Sequence, residues 1–266
     1  MFFKKKYLSK SIKNPNIFEN RKKILNTTNP NLIYLLNKRF EWMKKYIKNK
    51  KIVIELGSGN GCLKKILKQK NILLTDIIKY PWIDKKIDML KVNLDKKFLN
   101  KVDVFIINHS LHHCANPSNC LHKLSKYLKT NGVILINEPE TSFMLKLLQI
   151  ILDDESWSLT DDVFNKQKNL FNPKNPWISN TAVAQLLFID KYKFEKNFPQ
   201  YSIEKNYVSE FLIFLNSGGV NSHFFNLKFN PFLLRMIDFI DRILIFLFPS
   251  FFALNRTIVL KKIKKG

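Results

Sequence analysis

Glycine is scarce in this chain, seven in 266 residues, yet three fall within five positions in Glu55-Leu56-Gly57-Ser58-Gly59-Asn60-Gly61. The cluster follows an apolar, β-branched run, Lys51 to Leu56, and precedes a helix-compatible stretch, Cys62 to Lys68. That order predicts a strand, a tight turn and a helix. Glycine lets the backbone take positive φ and, lacking a Cβ, lets a neighbour approach the main chain closely. The helix behind the turn presents unpaired N–H groups to whatever sits there. Together these parts make a ligand-holding device.

Two phosphate-binding patterns do not fit. A dinucleotide fingerprint needs a third glycine where Cys62 stands, and a Walker-type loop needs a Gly-Lys-Ser/Thr ending that is absent. Glu55, just before the turn, suits a cationic ligand and would repel a pyrophosphate. Asn71 to Thr75 reads as a second strand ending in Asp76. An acidic side chain about 20 residues past such a turn reaches ribose hydroxyls. Val102 to Asn108 reads as another strand, running into His109-Ser110-Leu111-His112-His113. A helix from Pro117 to Leu128 then leads to a strand from Val133 to Pro139 that carries Glu138. Strands separated by helix-length segments predict a parallel sheet whose ligand lies at the carboxyl ends of the strands.

Glu55 to Gly61, Thr75-Asp76-Ile77, Pro81 to Asp84, Asp88, Leu111-His112-His113, Leu128 to Gly132 and Glu138-Pro139 occur in that order. Over residues 50–140 they resemble the class I S-adenosylmethionine-dependent methyltransferases, in the group with the ubiquinone- and menaquinone-type enzymes. Weaker matches at Phe194 to Pro199, Leu215 to Val220 and Thr257 to Leu260 resemble a subgroup found among cell-surface saccharide biosynthesis enzymes. The resemblance implies an α/β fold: a Rossmann-like, doubly wound seven-stranded sheet, mostly parallel with an antiparallel last strand, plus a helical or irregular cap. It implies S-adenosyl-L-methionine as cofactor, held by Glu55, Gly57, Ser58, Gly59, Asn60, Asp76, Ile77, Asp88, Met89, Asn108 and His109. In the family the Asp88-Met89 pair takes the adenine amino group and ring face. Val92-Asn93-Leu94 departs from the family's usual Leu-Pro-Phe, and Asn131-Gly132 from Gly-Gly; neither change removes a charged contact.

The expected organisation is an N-terminal arm and helix (1–48), a cofactor-binding half (49–140), a substrate cap (141–230), and an amphipathic helix with a final strand (231–266). The first 30 or so residues are basic and asparagine-rich and read as a loosely held arm. Leu32 to Ile47 has helical spacing, and Phe143 to Leu152 reads as a further helix. Residues 153–200 form a long irregular stretch of the kind that serves as a lid. In Pro231 to Phe248, Arg235, Asp238, Asp241 and Arg242 share one helical face and apolar residues fill the rest. A wide apolar face predicts burial against the domain; the alternative is a helix lying in the plane of a membrane.

The formal charge of +24 invites a nucleic-acid reading, but only five of the 45 basic residues are arginine. Arginine is the residue suited to phosphate forks and base edges, so scattered lysine predicts a solvated surface with non-specific attraction to anions. Cys62, Cys114 and Cys120 form no disulfide framework, which predicts a reduced interior. Met1 to Lys6 lacks the apolar stretch of a secretion signal, and no run reaches the 18 apolar residues of a span. A cytoplasmic protein, with peripheral membrane contact through 231–248 as an option, is the expectation.

Methyl transfer from a sulfonium is an in-line displacement in which alignment can contribute ~7–11 kcal/mol. For a hydroxyl acceptor, a general base adds roughly 10²–10⁴-fold. His113 is the first candidate base, His112 the second and Glu138 another, with Glu155 of the lid behind them. A purely structural role for the histidines in the turn carries equal weight. His109, His112, His113, Cys114, Cys120 and His122 follow no zinc spacing, so no metal is expected. The expected acceptor is a small molecule, a sugar or a lipid-linked saccharide. A catalytically silent binding protein on the same fold and an RNA methyltransferase are the competitors.

Overall fold

A computed structural model describes residues 16–153, 155–219 and 226–263. The arm before residue 16 lies outside them, as does Val220.

In chain order the elements begin with α1 (Ile17–Leu25), α2 (Pro30–Phe40), α3 (Lys44–Ile47), β1 (Val53–Leu56), α4 (Leu63–Ile66), β2 (Ile72–Asp76) and β3 (Lys85–Lys86). Next come β4 (Val102–Asn108), α5 (Pro117–Tyr127), β5 (Leu128–Pro139), α6 (Phe143–Ile151), α7 (Val183–Phe188) and α8 (Lys191–Asn197). The chain continues with β6 (Tyr201–Ser209), α9 (Leu212–Leu215), α10 (Pro231–Leu247), α11 (Pro249–Phe252) and β7 (Asn255–Lys262).

The seven strands form one sheet in the order β3-β2-β1-β4-β5-β7-β6. β1 through β5 pair in parallel, and β7 inserts between β5 and β6, antiparallel to both. This is the doubly wound α/β architecture that the sequence implied, with its reversed last strand.

The apolar side chains of β4 alternate between two cores, as period-2 geometry dictates. Phe105 and Ile107 join Leu121 and Leu124 of α5 and Val183 of α7 on one face. Val104 and Ile106 join Leu32 and Leu35 of α2 and Leu234 of α10 on the other. A sheet covered on both faces opens only at strand ends, and the site lies at the carboxyl ends.

Two stretches fold otherwise than the sequence suggested. The stretch read as cap also supplies β6 to the sheet edge. From Ile17 the arm is a helix, not a loose segment, with Asn16 accepting from the N–H of Glu19 as its cap. It is fastened to the glycine turn: Arg21 donates to the Asn60 carbonyl at 2.5 Å and stacks 4.5 Å over Trp82.

α10 is buried along a narrow stripe of Leu234, Asp238, Asp241 and Ile245. Asp238 and Asp241 are buried, whereas Phe232, Met236, Phe239, Ile243 and Phe246 are exposed. Asp241 accepts the N–H groups of Phe211, Leu212 and Ile213. Asp238 pairs with Lys38 of α2 and with Arg242. The expected burial of the apolar face is therefore corrected: α10 docks through its carboxylates and turns most of its hydrophobic surface outward. No described helix is long and apolar enough to cross a membrane.

Candidate active site

The turn after β1 takes its shape from its glycines. Gly57, Gly59 and Gly61 all have positive φ, between 48° and 65°. A Cβ at Gly57 would stand 2.5 Å from Ser110 Cβ, and one at Gly61 2.5 Å from Trp82 Cδ1. A Cβ at Gly59 would meet no atom of the described residues within 4 Å. Two glycines thus let neighbouring protein close in, and the middle one borders open space.

Main-chain and side-chain bonds hold this turn to β2. Ser58 N–H donates to the Thr75 carbonyl at 2.9 Å, and Thr75 Oγ1 donates to the Glu55 carbonyl at 2.6 Å. Asp76 accepts the Gly59 N–H at 2.8 Å on one oxygen and the Ile78 N–H at 2.9 Å on the other. Trp82, stacked on Tyr80, donates from its indole to the Gly59 carbonyl at 2.8 Å.

A cavity of about 970 Å³ opens over the turn. Glu55, Gly57, Ser58, Gly59 and Asn60 border it, joined by Asp76 and Ile77 from the end of β2. Asp88 and Met89 close one side, and Asn108 and His109 lie at the end of β4. His112, His113 and Glu155 border the same space. Every residue the sequence singled out for cofactor binding or as a candidate base lines this cavity except Glu138, which is fully buried behind His112.

The lining has a distinct electrostatic character. Glu55 Oε2, Asn108 Oδ1 and His109 Nε2 are buried and without a hydrogen-bond partner among the described residues. Buried polar atoms are rarely left so. Burial pushes the Glu55 carboxyl up to about 8, with Ser58 opposing and Asp76 adding to the rise. Burial likewise raises the Asp76 carboxyl, against the lowering effect of its backbone donors. Burial, with Arg39 and His112 nearby, holds His109 well below the usual imidazole range and hence neutral. Arg39, the buried cation on the wall, is matched by Glu210 at 2.6 Å. The pocket therefore has its acidic groups to offer, although the chain as a whole is strongly basic.

These features fit S-adenosylmethionine. Its ammonium and sulfonium are cations, and three orphaned acceptors with two raised carboxyls await positive charge and donors. The unobstructed space at Gly59 leaves main chain accessible to a nucleoside.

The second half of the cavity is a histidine–carboxylate cluster. Glu138 accepts the N–H groups of Ser110 and Leu111 at 2.8 and 2.7 Å and holds His112 Nδ1–H with its other oxygen. His112 Nε2 lies 3.2 Å from Glu155 Oε1, and His113 Nε2 lies 3.3 Å from the same oxygen. His113 Nδ1–H donates to the Ile178 carbonyl at 3.2 Å. Burial opposes charge on His112, but Glu155 and Glu138 outweigh it and lift the imidazole to about 10. His112 is thus an imidazolium at neutral pH. Burial opposes ionisation of Glu155, yet His112 and His113 hold it well below the usual carboxylate range.

The segment carrying Glu155 is stitched onto the β4 loop. Asn180 N–H donates to the His112 carbonyl at 2.9 Å, and Asn180 Oδ1 accepts the Ser158 N–H at 2.9 Å. Sequence alone gave no signal for two features: Arg21 over the glycine turn, and the joining of Glu155 to both histidines. His122 stands apart, stacked on Phe198 and beside Gln200, and Cys120 is buried in the core.

A family model described as a methyltransferase domain matches residues 30–186. No curated protein matches. Among solved structures, a SAM-dependent methyltransferase from Archaeoglobus fulgidus is 18% identical, with 93% of this chain and 100% of that one aligned and a TM-score of 0.49. The YcgJ protein from Bacillus subtilis is 10% identical, covering 86% and 100%, with a TM-score of 0.47. The plantazolicin methyltransferase BpumL, solved with a triazolic desmethylPZN analog and SAH, is 17% identical, covering 94% and 92%, with a TM-score of 0.45.

Proposed function

The chain belongs to the methyltransferase domain family, and from that premise we propose that it moves a methyl group from S-adenosylmethionine to an acceptor seated beside His113. The observation that carries this is the buried, unpartnered Glu55 Oε2 in a cavity that also borders the open face of Gly59. Glu55, Asn108 and His109 would hold the amino-acid end of the donor, Asp76 its ribose, and Asp88 with Met89 its adenine. Ser58, Asn60 and Ile77 complete that wall.

When bound, the donor supplies an electrophilic methyl carbon on a cationic sulfur. The chain's own task is to align the acceptor and keep water out, and alignment contributes ~7–11 kcal/mol. His113 is the group placed to receive the acceptor's proton, at Nε2, because Ile178 fixes its Nδ1–H. His112 serves as a fixed positive charge, since an imidazolium has no lone pair to accept with. Glu138 positions it and the backbone of the β4 loop.

The acceptor in this proposal carries a lipid portion, as in the quinone- and saccharide-type groups that the sequence resembles. The support is α10, which with the adjoining α11 exposes Phe239, Phe246, Phe248 and Phe251 together. Phe143 of α6 stacks on Phe251 at 4.7 Å, and Leu145, Leu148 and Leu152 beside it reach the cavity wall. The apolar surface therefore runs from α10 to the pocket. A monolayer with anionic headgroups matches that surface and the charge of +24. An RNA acceptor has no comparable support, because the pocket offers carboxylates and the chain few arginines.

Titration of the full chain with S-adenosylmethionine, followed by mass spectrometry of lipid extracts for the gain of one CH₂, tests the proposal. Uptake with turnover on a lipid-soluble acceptor supports it. Uptake without turnover on any extract identifies a silent binding protein, and turnover only on RNA, falling steeply with salt, identifies the third class.

A further inference from the structure

We propose that His112, His113 and Glu155 form a binding site for one divalent transition-metal ion, of the zinc, iron or cobalt type, on the acceptor side of the cavity. One potential ligand atom from each of the three side chains lies within 4.8 Å of the other two. The two measured nitrogen–oxygen separations are 3.2 and 3.3 Å. Ions of this class hold imidazole nitrogen at about 2.0–2.1 Å and carboxylate oxygen at about 2.0–2.2 Å, so neighbouring ligands of a tetrahedral ion stand about 3.3–3.5 Å apart. The two separations to Glu155 match edges of such a coordination polyhedron.

The orientation of the rings is a second, independent indication. Glu138 takes the Nδ1–H of His112, and the Ile178 carbonyl takes the Nδ1–H of His113. A metal-binding histidine characteristically gives its other N–H to a carboxylate or backbone carbonyl, which fixes the tautomer and aims the free nitrogen at the ion. Both histidines here have such a partner, one of each kind. With both Nδ1 atoms protonated, both Nε2 atoms converge on a single carboxylate oxygen. In the ion-free chain the proton on His112 Nε2 fills this point; a metal ion would displace that proton and meet two imidazole nitrogens and a carboxylate oxygen.

Charge supports the same ion. Glu138 and Glu155 together carry two negative charges beside two imidazoles, so a divalent cation neutralises the cluster with both rings uncharged. Two nitrogens and one carboxylate oxygen suit zinc, iron or cobalt better than magnesium or calcium, which prefer all-oxygen sets. Three protein ligands leave at least one position of a four-coordinate ion for a water or an acceptor oxygen. An acceptor hydroxyl bound there would lose its proton more readily, as metal-bound water does. With the ion in place His113 is a ligand and no longer the proton acceptor; the ion would lower the acceptor's pKa and the proton would leave to solvent.

The ligands come from two segments 42 residues apart, which is why no spacing in the sequence disclosed them. The cysteines and His122 that the sequence offered do not take part; among the described residues only this trio converges.

The full chain, stripped with a chelator and dialysed, is titrated with Zn²⁺ and with Co²⁺, and bound metal is counted by mass spectrometry. One ion per chain is expected, with a visible Co²⁺ absorption band showing nitrogen and oxygen ligation. Glu138→Gln should lower affinity roughly 10–100-fold through loss of the outer carboxylate, and Glu155→Gln and His113→Gln further. His122→Gln should leave affinity unchanged. Absence of a stoichiometric ion, or binding indifferent to E155Q and H113Q, overturns the proposal. Should those variants fail to fold, anomalous scattering from Co²⁺-soaked wild-type crystals decides: a peak between the three side chains supports it, and a peak elsewhere or none rejects it. The readout requires no methyl transfer, so its failure and that of the methyltransferase assignment are separable.

Discussion

Gly59 donates its main-chain N–H to Asp76 Oδ2 at 2.8 Å, tying the first turn of the fold to the end of its second strand. The same carboxylate caps Ile78 and borders the cavity. It therefore shapes the turn and also offers lone pairs to the cavity, at the end proposed above for the nucleoside. Asp76→Ala should weaken binding of S-adenosylhomocysteine about 10–100-fold, the loss of one to two hydrogen bonds to a charged group. Asp76→Asn, which keeps one acceptor, should fall between. Calorimetric titration measures all three proteins; equal affinities would take Asp76 out of the site.

Glu55 makes binding of the donor depend on pH. Its carboxyl is pushed up to about 8 in the unliganded pocket, so at neutral pH it is largely protonated. A cationic ligand favours the ionised form, and binding below pH 8 must then release a proton. Affinity should rise with pH and level off above about 8. Titration in two buffers of different ionisation heat reports the released proton directly. Glu55→Gln should flatten the profile and abolish the release; a profile unchanged by E55Q would show that the proton comes from elsewhere.

Stability should run the other way. A group whose folded pKa is raised contributes stability that is complete below its unfolded value and lost as pH rises through the folded one. For Glu55 that interval is from 4.5 to about 8, and for His112 from 6.5 to about 10. The unliganded protein should therefore melt at lower temperature at each step from pH 6 to 10. Below this range the lowered Glu155 acts oppositely, its contribution fading as acid protonates it. E55Q should remove the slope below about pH 6.5, reduce it between 6.5 and 8, where His112 also contributes, and leave it unchanged above 8. Glu138→Gln breaks a buried charge pair and should cost about 3–5 kcal/mol at neutral pH, read by chemical denaturation.

How far the sequence disclosed the site depends on the range of the interactions concerned. Glu55, the glycines, Asp76, Asp88 and the β4 histidines each sit at a strand end, and one parallel sheet brings all such ends to a single edge. Local pattern was enough for them. Arg21 reaches the site from a helix in what the sequence read as a loose arm, and Glu155 from an irregular segment, through contacts 39 and 43 residues away. Nothing near them in sequence signals those contacts. In α10 the periodicity grouped Asp238 and Asp241 with Arg235 and Arg242 and could not say what faces inward: the aspartates are buried with Leu234 and Ile245, and both arginines are exposed. Lys38 and the N–H groups of residues 211–213 are what draw Asp238 and Asp241 into the protein, and these lie far off in the chain.

That inverted helix supplies the last prediction. Phe239 and Phe246 are 63% and 84% exposed on the outward face of α10, so packing does not explain them. Replacing both with aspartate should alter folding stability by no more than about 0.5 kcal/mol each, as is usual for surface changes. Each buried phenylalanine is worth about 1.5–3 kcal/mol on transfer from water, so the double variant should bind anionic vesicles at least roughly 100-fold more weakly. Co-sedimentation with phosphatidylglycerol-containing vesicles, at low and physiological salt, measures this in the full chain. Binding by the wild type that vanishes in the variant establishes a membrane-facing surface. Failure of the wild type to sediment rejects it, and a dimer that dissociates in the variant without any vesicle binding shows instead that a second copy of the chain covers α10.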